Sequence, residues 1–109
     1  MYKISLMDQS DLEAAYEIEK KTNLSPWSKE NFFSSFEVGH RSLVCKLENI
    51  IIGFVIFSSF KKESHLLSIA VDKDLQRKGA GSLLLKSMIK QSKALGAKKI
   101  LLEVRMKNK

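Results

Sequence analysis

The stretch Ile69-Ala70-Val71-Asp72-Lys73-Asp74-Leu75-Gln76-Arg77-Lys78-Gly79-Ala80-Gly81-Ser82 decides how this chain is read. It leaves an apolar, strand-like run and enters an amphipathic one. Downstream, Leu84, Leu85, Met88, Ile89 and Leu95 recur at three- and four-residue steps, which marks one face of a helix of about 14 residues. Gly96 is placed to end that helix, and Lys99–Val104 reads as a strand. A strand, a helix and a second strand make a βαβ unit whose two strands run parallel. Gly79 and Gly81 lack a Cβ, so the backbone there can turn sharply and approach a ligand. The first amides of a helix have no partner within it, and the helix dipole adds positive potential at the same point. With the charges of Arg77 and Lys78, the loop makes a sound diphosphate site. The two glycines would equally serve a tight strand-to-helix turn that binds nothing. Without Gly-Lys-Ser/Thr there is no P-loop. A third glycine at dinucleotide spacing is missing, which argues against a Rossmann site.

Upstream of this segment, His65 to Val71 reads as a strand, Lys61-Lys62-Glu63 as a polar turn, and Ile50–Phe60 as a long β-branched and aromatic strand. Glu48-Asn49 is a tight connection to a further strand, Ser42 to Leu47. These runs predict an antiparallel meander. Nearer the N-terminus, Tyr2 to Met7 is a short strand. Ser10-Asp11-Leu12-Glu13 has the form of a capping box, opening a helix through Leu12, Ala15, Tyr16 and Ile18-Glu19. Asn23 to Trp27 breaks it, and Ser28 caps a second short helix through Phe32, Phe33 and Phe36. The expected order is β-α-α-β-β-β-α-β, an α/β fold whose mixed sheet starts antiparallel and finishes parallel.

The 109 residues are 44% hydrophobic and 28% charged, which fits one small globular domain and excludes a disordered chain. A net charge of +7 favours a polyanionic partner (nucleotide phosphates, RNA or an anionic surface), or reflects no more than a lysine-rich surface. One cysteine, Cys45, rules out an internal disulfide framework and suits a reducing cytoplasm. Within Leu43-Val44-Cys45 it reads as a small buried hydrophobe rather than a nucleophile. The N-terminus lacks signal-peptide organisation, and the longest apolar run, Ile50 to Phe57, is too short for a transmembrane helix. A soluble cytoplasmic protein is expected, with no membrane partner and no metal site.

The run from Ile69 to Gly81 resembles the acetyl-CoA motif of the GNAT acetyltransferase superfamily, Gln/Arg-x-x-Gly-x-Gly/Ala between a strand and a helix. It fits at Gln76, Gly79 and Gly81. Within the superfamily the chain is most similar to the bacterial ribosomal-protein-alanine N-acetyltransferases, through Pro26-Trp27-Ser28, the Ile69–Ser82 segment and Leu102-Glu103-Val104-Arg105-x-x-Asn108. The resemblance implies an acetyl-CoA-dependent transferase acting on a protein N-terminal amine, with a small-subunit ribosomal protein as the partner. It implies that Ile69, Ala70 and Val71 offer backbone groups to the pantetheine arm and thioester. Arg77, Lys78, Gly79, Ala80, Gly81 and Ser82 would cradle the pyrophosphate, and Asn108 would touch the cofactor. Glu103 would be the general base, relieving the α-ammonium of a proton through water. An α-amino group has a pKa of about 8, so a weak base suffices.

The resemblance spans about the first three-quarters of a family member. The expectation is therefore residues 1–109 as a single, incomplete domain, lacking the final helix, the strand pair and the Tyr that would act as general acid. Tyr2 and Tyr16 come too early in the fold to replace it. Lys99–Val104 would then have an open edge, which invites self-association. A second reading is a non-catalytic module that holds CoA, or binds the ribosome or RNA. The lack of aromatics interleaved with basic residues argues against nucleic acid. A small-molecule amine substrate is a third reading. Trp27 is expected as a core anchor rather than a substrate contact, and His40 and His65 as surface or turn residues. Lys61-Lys62 and Lys98-Lys99 are expected in solvated turns.

Overall fold

The computed structural model describes residues 1–37 and 40–102. The chain forms β1 (Tyr2–Leu6), α1 (Leu12–Thr22), α2 (Lys29–Glu37), β2 (Arg41–Leu47), β3 (Ile50–Phe60), β4 (Glu63–Val71), α3 (Ala80–Ala94) and β5 (Lys99–Leu102), with 3-10 turns at Gln9–Asp11 and Lys73–Leu75. This is the order the sequence predicts. The sheet runs β1-β2-β3-β4-β5, antiparallel up to β4 and parallel between β4 and β5. Within the expected last strand, 103 and 104 lie outside the described residues. Among the described residues no helix is long and apolar enough to cross a membrane. No group of three or more His, Cys, Asp or Glu among them is arranged to hold a metal ion.

The unbroken apolar run of β3 has a simple cause. Successive side chains of a strand point to opposite faces, and here both faces are covered. Val55 and Phe57 join Leu43, Cys45, Leu66, Leu84 and Met88 beneath α3. Phe54 and Ile56 join Val44, Leu12, Ala15, Ile18 and Phe32 beneath α1 and α2. A central strand buried on both sides reads as continuously hydrophobic rather than alternating. Phe32 anchors the second layer, edge-on to Phe54 at 5.4 Å and packed against Tyr16 and Trp27.

The turns reflect local chemistry. Glu48 and Asn49 both take positive φ, 51° and 71°, as a two-residue hairpin of matching twist requires. Ser28 caps α2, its Oγ accepting from the Asn31 amide at 3.1 Å. The cap ahead of α1 differs from the sequence expectation. The capping box is made by Asp8 and Asp11 around the 3-10 turn, with the Asp8 amide donating to Asp11 Oδ2 at 2.8 Å. Ser10 only donates to Asp8 Oδ2 at 3.0 Å. A carboxylate accepts where a serine could, so Asp8 competes for the role and takes it two residues earlier. Gly96, at φ 95°, closes α3 in a Schellman motif, with Gly96 N–H on Lys93 O and Ala97 N–H on Ser92 O.

The β3–β4 ladder contains one irregularity. Ile56 pairs with Ser68 and Phe57 with Leu66, so Leu67 is an extra residue on β4, a β-bulge. The described pairing of β4 with β5 runs from Glu63↔Lys99 to Leu66↔Leu102, the last described residue of β5.

Candidate active site

Beyond its described pairs with β5, β4 runs on to Val71 along a cavity. Asp72 N–H donates to Ile52 O at 2.7 Å. By the alternation of an antiparallel ladder, the peptide groups of Ala70 then face β3, while those of Ile69 and Val71 face away from it, toward the β5 side. The Val71 carbonyl accepts from Gln76 Nε2 at 3.0 Å, which folds the loop after β4 back against the strand end. Of the three expected backbone donors and acceptors, Ile69 turns both its groups and Val71 its N–H away from β3, the Val71 carbonyl being taken by Gln76; the groups of Ala70 are turned to β3.

The loop then turns into α3. Arg77 takes φ 66° and Gly79 φ 94°, so two left-handed residues flank Lys78. Gly79 is the N-cap of α3 and offers no side-chain cap. The first intrahelical bond is Leu83 N–H to Gly79 O at 3.0 Å. No described residue accepts from the amides of Ala80, Gly81 or Ser82, so these donors remain free at the positive end of the helix dipole. The two glycines have unequal roles. At Gly79 a side chain would force the left-handed backbone on an ordinary residue. Gly81 is helical, and a Cβ there would meet only Val71 Cγ2 at 3.7 Å, an ordinary contact. Tyr2 Oη donates to Lys78 O at 3.1 Å and ties the loop to the first strand. Ala80 is buried against the sheet, which fixes the helix start in place.

These elements border one cavity of about 610 Å³. Ile69, Ala70, Val71, Gln76, Arg77 and Gly81 line one side; Lys78, Gly79, Ala80 and Ser82 belong to the adjoining turn. The opposite wall was missed as a functional region by sequence reasoning. It comes from the end of α1 and the loop after it: Glu19, Thr22, Asn23, Ser25 and Trp27, with Leu67 and Ser68 of the bulge. Glu19 is 1% exposed yet carries no ion-pair partner among the described residues. A signal for it existed. Glu19 lies four residues after Ala15 and seven after Leu12, on the stripe of α1 that faces the core, where an acid is out of place.

Glu103 and Asn108 lie outside the described residues. Trp27 is half-buried, packs edge-on to Phe32 at 6.1 Å as a core anchor should, and also lines the cavity. His40 is half-buried and hydrogen-bonded through Nδ1 to Ser35 Oγ at 2.6 Å, so it is more than a surface residue. His65 lies in β4 with Nε2 3.2 Å from Glu63 Oε1. Cys45 is buried in the layer under α3, away from the cavity walls, and burial pushes its thiol pKa up from the ordinary value. A raised thiol pKa works against a nucleophile.

The structure thus places the end of β4 beside a left-handed Gly79 and the free first amides of α3, on one cavity. Residues 12–109 match the model of the Acetyltransferase (GNAT) family. The chain belongs to the GNAT acetyltransferase family. Its likeness to particular members covers nearly all of its length. It is 34% identical over 108 residues, 99% of this chain and 73% of that protein, to the ribosomal protein bS18-alanine N-acetyltransferase of Salmonella typhimurium. It is 39% identical over 107 residues to the Haemophilus influenzae protein of the same name, covering 96% and 72% of the two. Among solved structures, the ribosomal-protein-S18-alanine N-acetyltransferase of Escherichia coli superposes with a TM-score of 0.91 at 34% identity, over 99% of this chain and 70% of that one. As a family member the chain is an acyltransferase of mixed α/β fold.

Proposed function

We propose that this chain moves an acetyl group from acetyl-CoA to the α-amine of a protein N-terminus, an alanine of a small-subunit ribosomal protein being the first substrate to try. The observation that carries this reading is the two-sided cavity. One end offers Arg77 and the free amides that open α3, which suit the diphosphate of a CoA. The middle is the end of β4, where Ile69 and Val71 line the cavity with peptide groups that suit an extended amide-bearing arm. The far wall holds the small polar side chains of Thr22, Asn23 and Ser25, which suit an amine. The relatives, named as alanine N-acetyltransferases of a ribosomal protein, point the same way.

Acetyl-CoA, when bound, supplies an acyl group already activated as a thioester. The protein's own residues do the rest. The strand edge holds the acyl carbonyl in line with the incoming amine and donates to its oxygen as charge develops there. Glu103 accepts the proton that the α-ammonium gives up, through water. The new C–N bond then replaces the C–S bond, the sulfur leaves as thiolate, and the second proton shed by the nitrogen as the amide forms neutralises that thiolate. Asn108 would touch the cofactor. Cys45, buried elsewhere, takes no part, because an amine can attack a thioester directly.

The test is acetyl-CoA titration by calorimetry, then mass spectrometry of an Ala-starting peptide incubated with both. Saturable binding and one added acetyl group on the peptide amine are expected. Cofactor binding with no acetylation of that peptide would favour the non-catalytic module instead. Acetylation of a polyamine but not the peptide would move the substrate class to small molecules.

A further inference from the structure

On the basis of the proposed N-terminal acetyl transfer, we infer that Glu19 is a positioning residue of the amine-binding wall, acting through the segment Asn23–Trp27. The geometry is specific. Glu19 Oε2 accepts from the Trp27 amide at 2.9 Å and from Asn23 Nδ2 at 3.0 Å, while Oε1 accepts from Ser68 Oγ at 3.3 Å. One buried carboxylate therefore ties the end of α1, the loop after it and the bulged strand β4 into a single wall. Ser68 faces α1 because of the extra residue Leu67, so the bulge supplies the anchor for this wall.

Helix formation does not explain an acid here. Glu19 sits in the last turn of α1, where the helix dipole opposes negative charge, and it is almost wholly removed from water. Its three partners all donate, so the group serves wholly as an acceptor hub. What it fixes is the loop, and the loop carries Asn23, Ser25 and Trp27 to the cavity. Asn23 Oδ1 in turn accepts from the Ser25 amide at 3.1 Å, passing the constraint along the wall.

The hub is tested by Glu19→Ala and Glu19→Gln in the full chain. A glutamine can keep its carbonyl toward Asn23 and Trp27 and turn its amide toward Ser68, whose hydroxyl can accept as well as donate. Glu19→Ala should raise KM for the Ala-starting peptide roughly tenfold or more, as loss of a charge-assisted anchor implies. KM for acetyl-CoA should stay within about twofold, because the cofactor end is built from other residues. Glu19→Gln should return the peptide KM to within about threefold of the parent. Amide hydrogen exchange at Trp27 should quicken in Glu19→Ala and be restored in Glu19→Gln. Ser68→Ala, which cuts only the 3.3 Å link, gives a milder rise in the same KM and stands in should Glu19→Ala fail to fold.

The inference is overturned by an unchanged peptide KM, by equal rises in both KM values, or by Glu19→Gln being as defective as Glu19→Ala, which would assign the role to charge instead. Should the parent chain not acetylate the peptide, the functional reading fails. The exchange rate at Trp27 then decides the hub by itself, and an unchanged rate in Glu19→Ala rejects it.

Discussion

Gly79→Ala separates what the glycine loop does for the fold from what it does for the ligand, because the molecule contains its own control. Gly79 and Gly96 sit at opposite ends of α3 with φ of 94° and 95°, and at both an added Cβ meets nothing within 4 Å. The steric cost of either substitution is therefore the left-handed backbone alone, about 1–2 kcal/mol. Against it stands the reduced entropy of the unfolded chain, about 0.4–1 kcal/mol in favour of alanine. Each variant should lose about 1 kcal/mol, a fall in Tm of about 4–8 °C for a domain near this size. Only Gly79 borders the cavity end at which the Ala80, Gly81 and Ser82 amides are free. A loop that escapes the strain by rotating swings those donors away, and losing one hydrogen bond to a charged phosphate is about 1.5–3 kcal/mol. Calorimetric titration with acetyl-CoA should show Kd weakened about 10- to 100-fold in Gly79→Ala. Gly96→Ala should leave it within about twofold while denaturing at a similarly lowered temperature. Equal affinities in the two variants would refute the idea that these amides hold the ligand, and a parent-like Tm in both would refute the strain estimate.

Packing and burial lead to two more outcomes. Gly53→Ala would place a Cβ 3.0 Å from the Ala70 carbonyl oxygen, 3.1 Å from Leu84 Cδ1 and 3.2 Å from Val71 Cγ2, wedging α3 off the sheet. Urea denaturation should show a loss of about 1–3 kcal/mol, as overpacked cores do. Cys45 titrates higher in the folded chain than in the unfolded one, because burial disfavours the thiolate. Its contribution to stability is present below the unfolded thiol pKa and is lost as pH rises through the folded value. Stability should thus fall on the alkaline side, above about pH 9, less steeply in Cys45→Ala, and the thiol should resist alkylation until the protein unfolds.

Much of the architecture was legible because it rests on patterns with a period. The 3.6-residue stripe from Leu84 to Leu95 and the uninterrupted Ile50–Phe57 run each allow one kind of element, and the turn chemistry at Glu48-Asn49 and Gly96 marks the ends. The cofactor end of the cavity was legible for a related reason. It is contiguous in sequence, and Gly79 carries the conformational requirement in its own lack of a side chain. Arg77 shows the limit of that reasoning: nothing in its residue type announces φ 66°, and the loop imposes it. The capping box moved for the same kind of reason. Ser10 and Asp8 can both cap, and tertiary register chooses between them.

The opposite wall was not legible because no local pattern encodes it. Ser68 reads as a polar residue in an alternating strand, and alternation sends it to the α3 face together with Leu66. One extra residue, Leu67, reverses that assignment, and a bulge has no signature in a strand of Ser and Leu. Only after the reversal does Ser68 meet Glu19 across 49 positions of sequence. An acid on the apolar stripe of α1 was visible, but its partners were not, and without them it reads as a flaw in a helix rather than as an anchor. Where β4 takes in one residue more than β3, the Ser68 hydroxyl turns to the carboxylate that holds the facing loop. A single strand irregularity thus ties down that wall of the cavity.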